Sequence, residues 1–153
     1  MSQTPPEPAG PRSAFTVDSA FLSGSSLLIG LPLCEARLQN DARWPWIVLI
    51  PRRAGCVEIH DLAPTERGLL MEEVVLAGEA VRAMAVALGR PVDKLNVGAL
   101  GNVTPQLHAH VVGRRRDDAA WPGPVWGVGV AQPYATDELE TLRLTALDVL
   151  AGG

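Results

Sequence analysis

Apolar and polar positions change their spacing several times along this chain, and each change marks an element. Leu33 to Leu38 alternates apolar and polar side chains, the period of a strand with one face buried. Trp46-Ile47-Val48-Leu49-Ile50 is a continuous apolar run, which suits a strand buried on both faces. Gln39 to Arg43 between them is a turn signal, so the two strands are expected to form an antiparallel hairpin that Pro51 ends. From Pro64 to Leu88 the period becomes helical. Leu70, Val74, Ala77, Val81, Met84 and Leu88 recur at steps of three and four and form one stripe. Pro64 suits the first helical position, Glu66 lies near the positive end of the helix dipole, and Gly89 and Pro91 stop the helix. A strand at Lys94 to Ala99 follows. The loop Leu100 to Pro105 leads into a further strand ending at Val112, and Thr136 to Leu150 reads as an amphipathic helix with Thr136 as N-cap. Asp18 to Leu22 is expected to form a helical turn. Residues 1 to about 14, rich in Pro and small residues, are expected to be a disordered tail. Hairpin, helix, two strands and helix predict an α+β domain: an antiparallel sheet covered by the long helix, with a second helix at the C-terminus. Residues 15–153 would form this single domain.

The strand that ends at Val112 carries the candidate chemistry. Two of the three histidines of the chain, His108 and His110, stand one residue apart in Gln106-Leu107-His108-Ala109-His110-Val111-Val112. Alternate side chains of a strand share a face, so Gln106, His108 and His110 are expected to project together. Two imidazoles and a carboxamide on one face are a poor choice for a core and a good one for a site. By contrast, Arg114-Arg115-Arg116-Asp117-Asp118 reads as a solvated, internally paired loop.

Bulk composition narrows the options. At 153 residues with 47% hydrophobic and 20% charged positions, the chain fits one globular domain. A net charge of -4 argues against a general nucleic-acid binder. The run Leu27 to Leu33 is too short and too broken to cross a membrane, and the N-terminus lacks the layout of a signal peptide. Cys34 and Cys56 fit no metal spacing and are expected to be reduced, buried thiols of a cytoplasmic protein.

The histidine segment resembles the signature of the histidine triad superfamily, His-φ-His-φ-His-φ-φ with φ apolar, with Gln106 in the first histidine's place. Trp46 to Arg53, His60-Asp61-Leu62, Leu95 to Gly98 with Gly101, and Trp121-Pro122-Gly123 are similar to further family segments, in the same order. The resemblance implies a nucleotide hydrolase or nucleotidyltransferase acting at an α-phosphate, on dinucleoside polyphosphates, nucleoside phosphoramidates or nucleotide sugars. It implies His108 as nucleophile, forming a covalent nucleotidyl-imidazole, with His110 helping to stabilise the transition state. Imidazole suits the first role because its ordinary pKa lies near neutrality. Gln106 would orient His108 or a phosphate, and it cannot titrate. Asn40, Asn96, Gly101 and Thr104 would lie near the sugar or phosphates. Val103 departs from the hydroxyl residue that the phosphoramidase branch carries five positions before the nucleophile. The covalent step needs no cofactor, and Mg²⁺ is a candidate companion of a polyphosphate substrate. A small-molecule nucleotide is the expected partner, with no nucleic acid and no membrane, in a homodimer.

Two other functions fit the residues. His108 and His110 on a strand, joined by His60, could supply three nitrogen ligands to Zn²⁺. Alternatively, Gln106 could mark a nucleotide-binding module without catalysis.

Overall fold

A computed structural model describes residues 14–152. The expected tail over residues 1 to 14 lies, except for Ala14, outside the described residues. In chain order the elements are α1 (Ser19–Leu22), β1 (Ser25–Gly30), β2 (Cys34–Gln39), β3 (Trp46–Pro51), α2 (Pro64–Ala87), β4 (Lys94–Gly98), β5 (Ala109–Arg114) and α3 (Thr136–Gly152), with a 3₁₀ turn at Ile59–Asp61 before α2. The strands form one sheet in the order β1-β2-β3-β5-β4, with every neighbouring pair antiparallel. The α+β architecture expected from the pattern is the one found.

The sheet buries both faces, and the alternation within each strand sorts side chains between them. Cys34, Ala36 and Leu38 of β2, Ile47 and Leu49 of β3, and Ala109 and Val111 of β5 join one apolar cluster with the α2 stripe and with Leu142, Ala146 and Leu150 of α3. Trp46, Val48 and Ile50 of β3 and Val112 of β5 point the other way, where Phe15, Val17, Phe21, Val125 and Trp126 cover them. Central β3 is buried along its whole length, which explains why its apolar run shows no alternation.

Long helix α2 begins as expected. Pro64 sits in its first turn, and the Glu66 carboxylate accepts the Ala63 N–H at 3.0 Å while pairing with Arg53. Gly89, at a φ of +67°, ends it in a left-handed conformation that residues with a Cβ rarely adopt. One position on its buried side breaks the stripe. Glu73 is only 4% exposed, and its two carboxylate oxygens accept the backbone N–H groups of Leu33 and Cys34 at 2.6 and 2.8 Å. An acidic residue inside a helix thereby satisfies the donors of the β1–β2 turn.

Several expectations need correction. Strand β1 (Ser25–Gly30) is an additional element. Its half-exposed edge position weakens the alternation, and its apolar core, Leu27-Leu28-Ile29, merges with the following Leu31 to Leu33. Strand β5 starts at Ala109, so Gln106 and His108 precede it. Thr136 is the first residue of α3, and the helix runs on to Gly152. Cys34 is buried as expected, but Cys56 is only half-buried. Arg114 does not belong to a solvated loop. It ends β5 at 1% exposure, its guanidinium paired with Asp118 and donating to Asn96 Oδ1 at 2.7 Å. Burial opposes the Asp118 charge, but the guanidinium and the N–H groups of Arg115 and Ala120 outweigh it and hold the carboxyl down to about 2. Arg115 and Asp117 form the exposed pair that the sequence suggested.

Candidate active site

His110 stands in the middle of a lateral row across the sheet, with Val48 on one side and Gly98 on the other. Gly98 matters because a Cβ there would lie 2.9 Å from the ring of Trp126. Its absence lets Trp126 reach across β4 and pack 5.5 Å from the imidazole of His110, centroid to centroid. His108 lies just before the strand. Its ring meets that of His110 edge-to-face at 4.7 Å, and Phe21 of α1 packs against it at the same distance.

The two imidazoles are held in complementary tautomers. His108 Nδ1 lies 2.6 Å from the backbone carbonyl oxygen of Gln106. A carbonyl only accepts, so Nδ1 carries the proton and Nε2 keeps its lone pair. His110 has the opposite arrangement. The indole Nε1–H of Trp46, which only donates, lies 3.1 Å from His110 Nδ1. That nitrogen is the acceptor, and Nε2 carries the proton. Burial, and secondarily the neighbouring His108, push the His110 pKa down to about 4. His110 is therefore neutral at physiological pH and acts as a fixed N–H donor. One ring thus offers a lone pair and its neighbour offers a proton.

Both rings open onto a cleft of about 390 Å³ lined by Ala20, Phe21, Thr104, Trp126 and the loop Leu100–Val103. His108 also borders a second cavity of about 120 Å³, walled by Glu58, His60, Leu107 and Gly101. Gly101, at a φ of +71°, turns the loop between the two.

Of the residues expected at the site, the fold brings His108, His110, Gly101 and Thr104 to the cleft. Asn40 and Asn96 are elsewhere. Asn40 Oδ1 accepts the Tyr134 N–H at 2.9 Å, and Asn96 Oδ1 accepts from Arg114; neither lines either cavity. The carboxamide of Gln106 turns away from the cleft to the N-terminal segment, donating to Thr16 O and accepting from Asp18 N, both at 2.8 Å. His60, which no local pattern links to the strand, borders a cavity with His108. Even so, among the described residues no three His, Cys, Asp or Glu side chains are grouped so that they could hold a metal ion. Sequence reasoning missed Trp46 and Phe21 as partners of the two histidines. Their signal was only apolar, and the contact with His110 depends on strand pairing, which places Trp46 opposite Val112.

A family model described as the HIT domain matches residues 23–117. The chain belongs to the histidine triad family. A histidine triad protein from Bradyrhizobium japonicum is 35% identical, over 90% of this chain and 98% of that one, with a TM-score of 0.83. A second from Sinorhizobium meliloti is 38% identical over 92% and 100% (TM-score 0.80), and a third from Marinobacter aquaeolei is 34% identical over 92% and 98% (TM-score 0.82). No curated protein matches the sequence. Membership of the histidine triad family implies nucleotide binding or nucleotide hydrolase or transferase activity. No helix among the described residues is long and apolar enough to cross a membrane.

Proposed function

We propose that this histidine triad protein is a nucleotide hydrolase or nucleotidyltransferase that works at an α-phosphate through a covalent intermediate on His108. The observation that carries this reading is the hydrogen bond from His108 Nδ1 to the Gln106 carbonyl, which leaves Nε2 as the lone-pair nitrogen of a ring lining the cleft. In the first step Nε2 attacks the α-phosphorus. The bond from phosphorus to the leaving group breaks, and the leaving group departs with its electron pair. As the ring becomes cationic, its Nδ1–H bond to the carbonyl strengthens and stabilises the charge. The neutral His110 donates Nε2–H to a phosphoryl oxygen as negative charge gathers there. In the second step water, or another nucleophilic acceptor, attacks the phosphorus and releases a proton to solvent, and the P–N bond breaks. The electron pair returns to His108. Two displacements of modest difficulty replace one hard one.

Both steps run without a cofactor in this reading, and Mg²⁺ would serve only to neutralise a polyphosphate substrate. Diadenosine tetraphosphate and adenosine 5′-phosphoramidate are the substrates to try first, and a twofold dimer belongs to the same reading by family resemblance. The test is intact-mass detection of a nucleotidyl adduct with each substrate, comparing wild type with His108→Asn. An adduct in wild type alone supports the proposal. An adduct on the variant removes His108 as nucleophile. Tight nucleotide binding by wild type with neither adduct nor turnover favours a binding module instead.

A further inference from the structure

The residue in the first triad position does something that an imidazole in its place could not. The Gln106 carboxamide gives its N–H to Thr16 O and takes the N–H of Asp18, both at 2.8 Å. These two groups flank Val17 in a segment whose exposure alternates, with Phe15 and Val17 turned to the sheet and Thr16 and Asp18 to solvent. In a parallel ladder a single residue makes this same pair of bonds, donating its N–H to the carbonyl before the facing residue and accepting from the N–H after it. The side chain of Gln106 therefore supplies the donor and the acceptor that one residue of a neighbouring strand would supply. Among side chains only Asn and Gln carry a donor and an acceptor on one planar amide. Imidazole cannot meet both groups in this way, and a carboxylate has no proton to give Thr16.

The strap clasped by Gln106 forms part of the site. Asp18 caps α1 by accepting the Ala20 N–H at 2.9 Å, and α1 presents Ala20 and Phe21 to the cleft. Phe21 then packs 4.7 Å from the His108 ring. Phe15, Val17 and Phe21 hold the strap against the sheet by apolar contact, which is non-directional and does not by itself fix how far along the sheet the strap lies. The amide pair does fix it. A slip of one residue would turn the side chains of an extended segment over. Meanwhile the backbone carbonyl of Gln106 holds His108 Nδ1. One residue thus ties the wall of the cleft to the nucleophile, with its side chain on the first and its main chain on the second.

We propose that Gln106 is a positioning residue that clasps the strap Phe15–Leu22 in register, so that Phe21 forms a fixed wall of the substrate cleft beside His108. This deepens the functional reading above and rests on it for the identity of the substrate. Because the carbonyl stays in place when the side chain is changed, removing the clasp should weaken substrate binding and leave the chemical step largely intact.

Two variants test this. Gln106→Met keeps the shape and loses both bonds. Gln106→Glu keeps the acceptor and loses the donor. Hydrogen exchange followed by NMR should find the Asp18 amide exchanging about tenfold or more faster in Gln106→Met, in proportion to one lost hydrogen bond. Modification of His108 by diethyl pyrocarbonate should be several-fold faster in both variants. With diadenosine tetraphosphate or adenosine 5′-phosphoramidate, KM should rise about tenfold while kcat stays within threefold. Unchanged exchange at Asp18 in Gln106→Met overturns the clasp. A kcat loss beyond tenfold at unchanged KM overturns the positioning role and makes Gln106 part of the chemistry. If wild type processes neither nucleotide, the functional reading is what fails. The exchange and modification rates then decide the clasp by themselves.

Discussion

Replacing Trp46 by Phe removes the one donor that the structure aims at His110 Nδ1, and the consequences can be sized. A histidine in the unfolded chain titrates near 6.5, whereas His110 in the folded protein titrates at about 4. Between these values the unfolded chain binds a proton that the folded chain refuses, so stability rises with pH there. The contribution is complete above pH 6.5 and disappears as the pH falls through 4. At about 1.4 kcal/mol per pH unit it amounts to roughly 3 kcal/mol. Burial is the leading cause and survives in Trp46→Phe. The lost indole bond is worth about 1 kcal/mol net, and the His110 pKa should rise by about 0.7 of a pH unit. The stability difference between pH 7 and pH 4, from urea melts, should shrink by a similar ~1 kcal/mol. Long-range ¹H–¹⁵N correlation of the ring nitrogens reads the tautomer directly. Wild-type His110 should carry its proton on Nε2, and Trp46→Phe should give a mixture. Only the fraction of His110 with its proton on Nε2 can donate, and about 1 kcal/mol of lost preference lowers that fraction by at most about fivefold, so kcat should fall about two- to fivefold. An unchanged tautomer and titration midpoint in Trp46→Phe would refute the claim that the indole sets the state of His110.

Gly98→Ala places a Cβ 2.9 Å from the Trp126 ring and should drive that ring off His110. Its KM for nucleotide should rise several-fold, and the Trp126 contribution to fluorescence should change; wild-type kinetics would mean that Trp126 does not line the working cleft. Asn40→Ala should leave KM unaltered, because Asn40 supports the Tyr134 N–H and borders neither cavity. It should lower stability by about 1–3 kcal/mol in denaturant melts by orphaning that donor, and a large KM effect would return Asn40 to the nucleotide.

The periodicity of apolar positions by itself determines most of this architecture. The hairpin, the α2 stripe from Leu70 to Met84 and the C-terminal helix were legible because local hydrogen bonding and one-sided burial leave their period in the sequence. Strand β1 was not, because an edge strand has little burial with which to mark its alternation. The importance of His108 and His110 was likewise written in their one-residue spacing. What the spacing left open was the state of each ring. That depends on groups distant in the chain or supplied by the backbone: Trp46 lies 64 residues from His110, and Gln106 contributes its carbonyl to His108. The use of the Gln106 side chain was also invisible, because its partners are main-chain groups 88 and 90 residues away that any sequence would supply equally well. Asn40, Asn96 and Arg114 make the same point, since their residue types suggested ligand or solvent and the folded chain gave each an internal partner. Residue type limits which bonds a side chain can make. Only the packing of the sheet against its two coverings decides which partner lies within about 3 Å, the range over which a hydrogen bond acts.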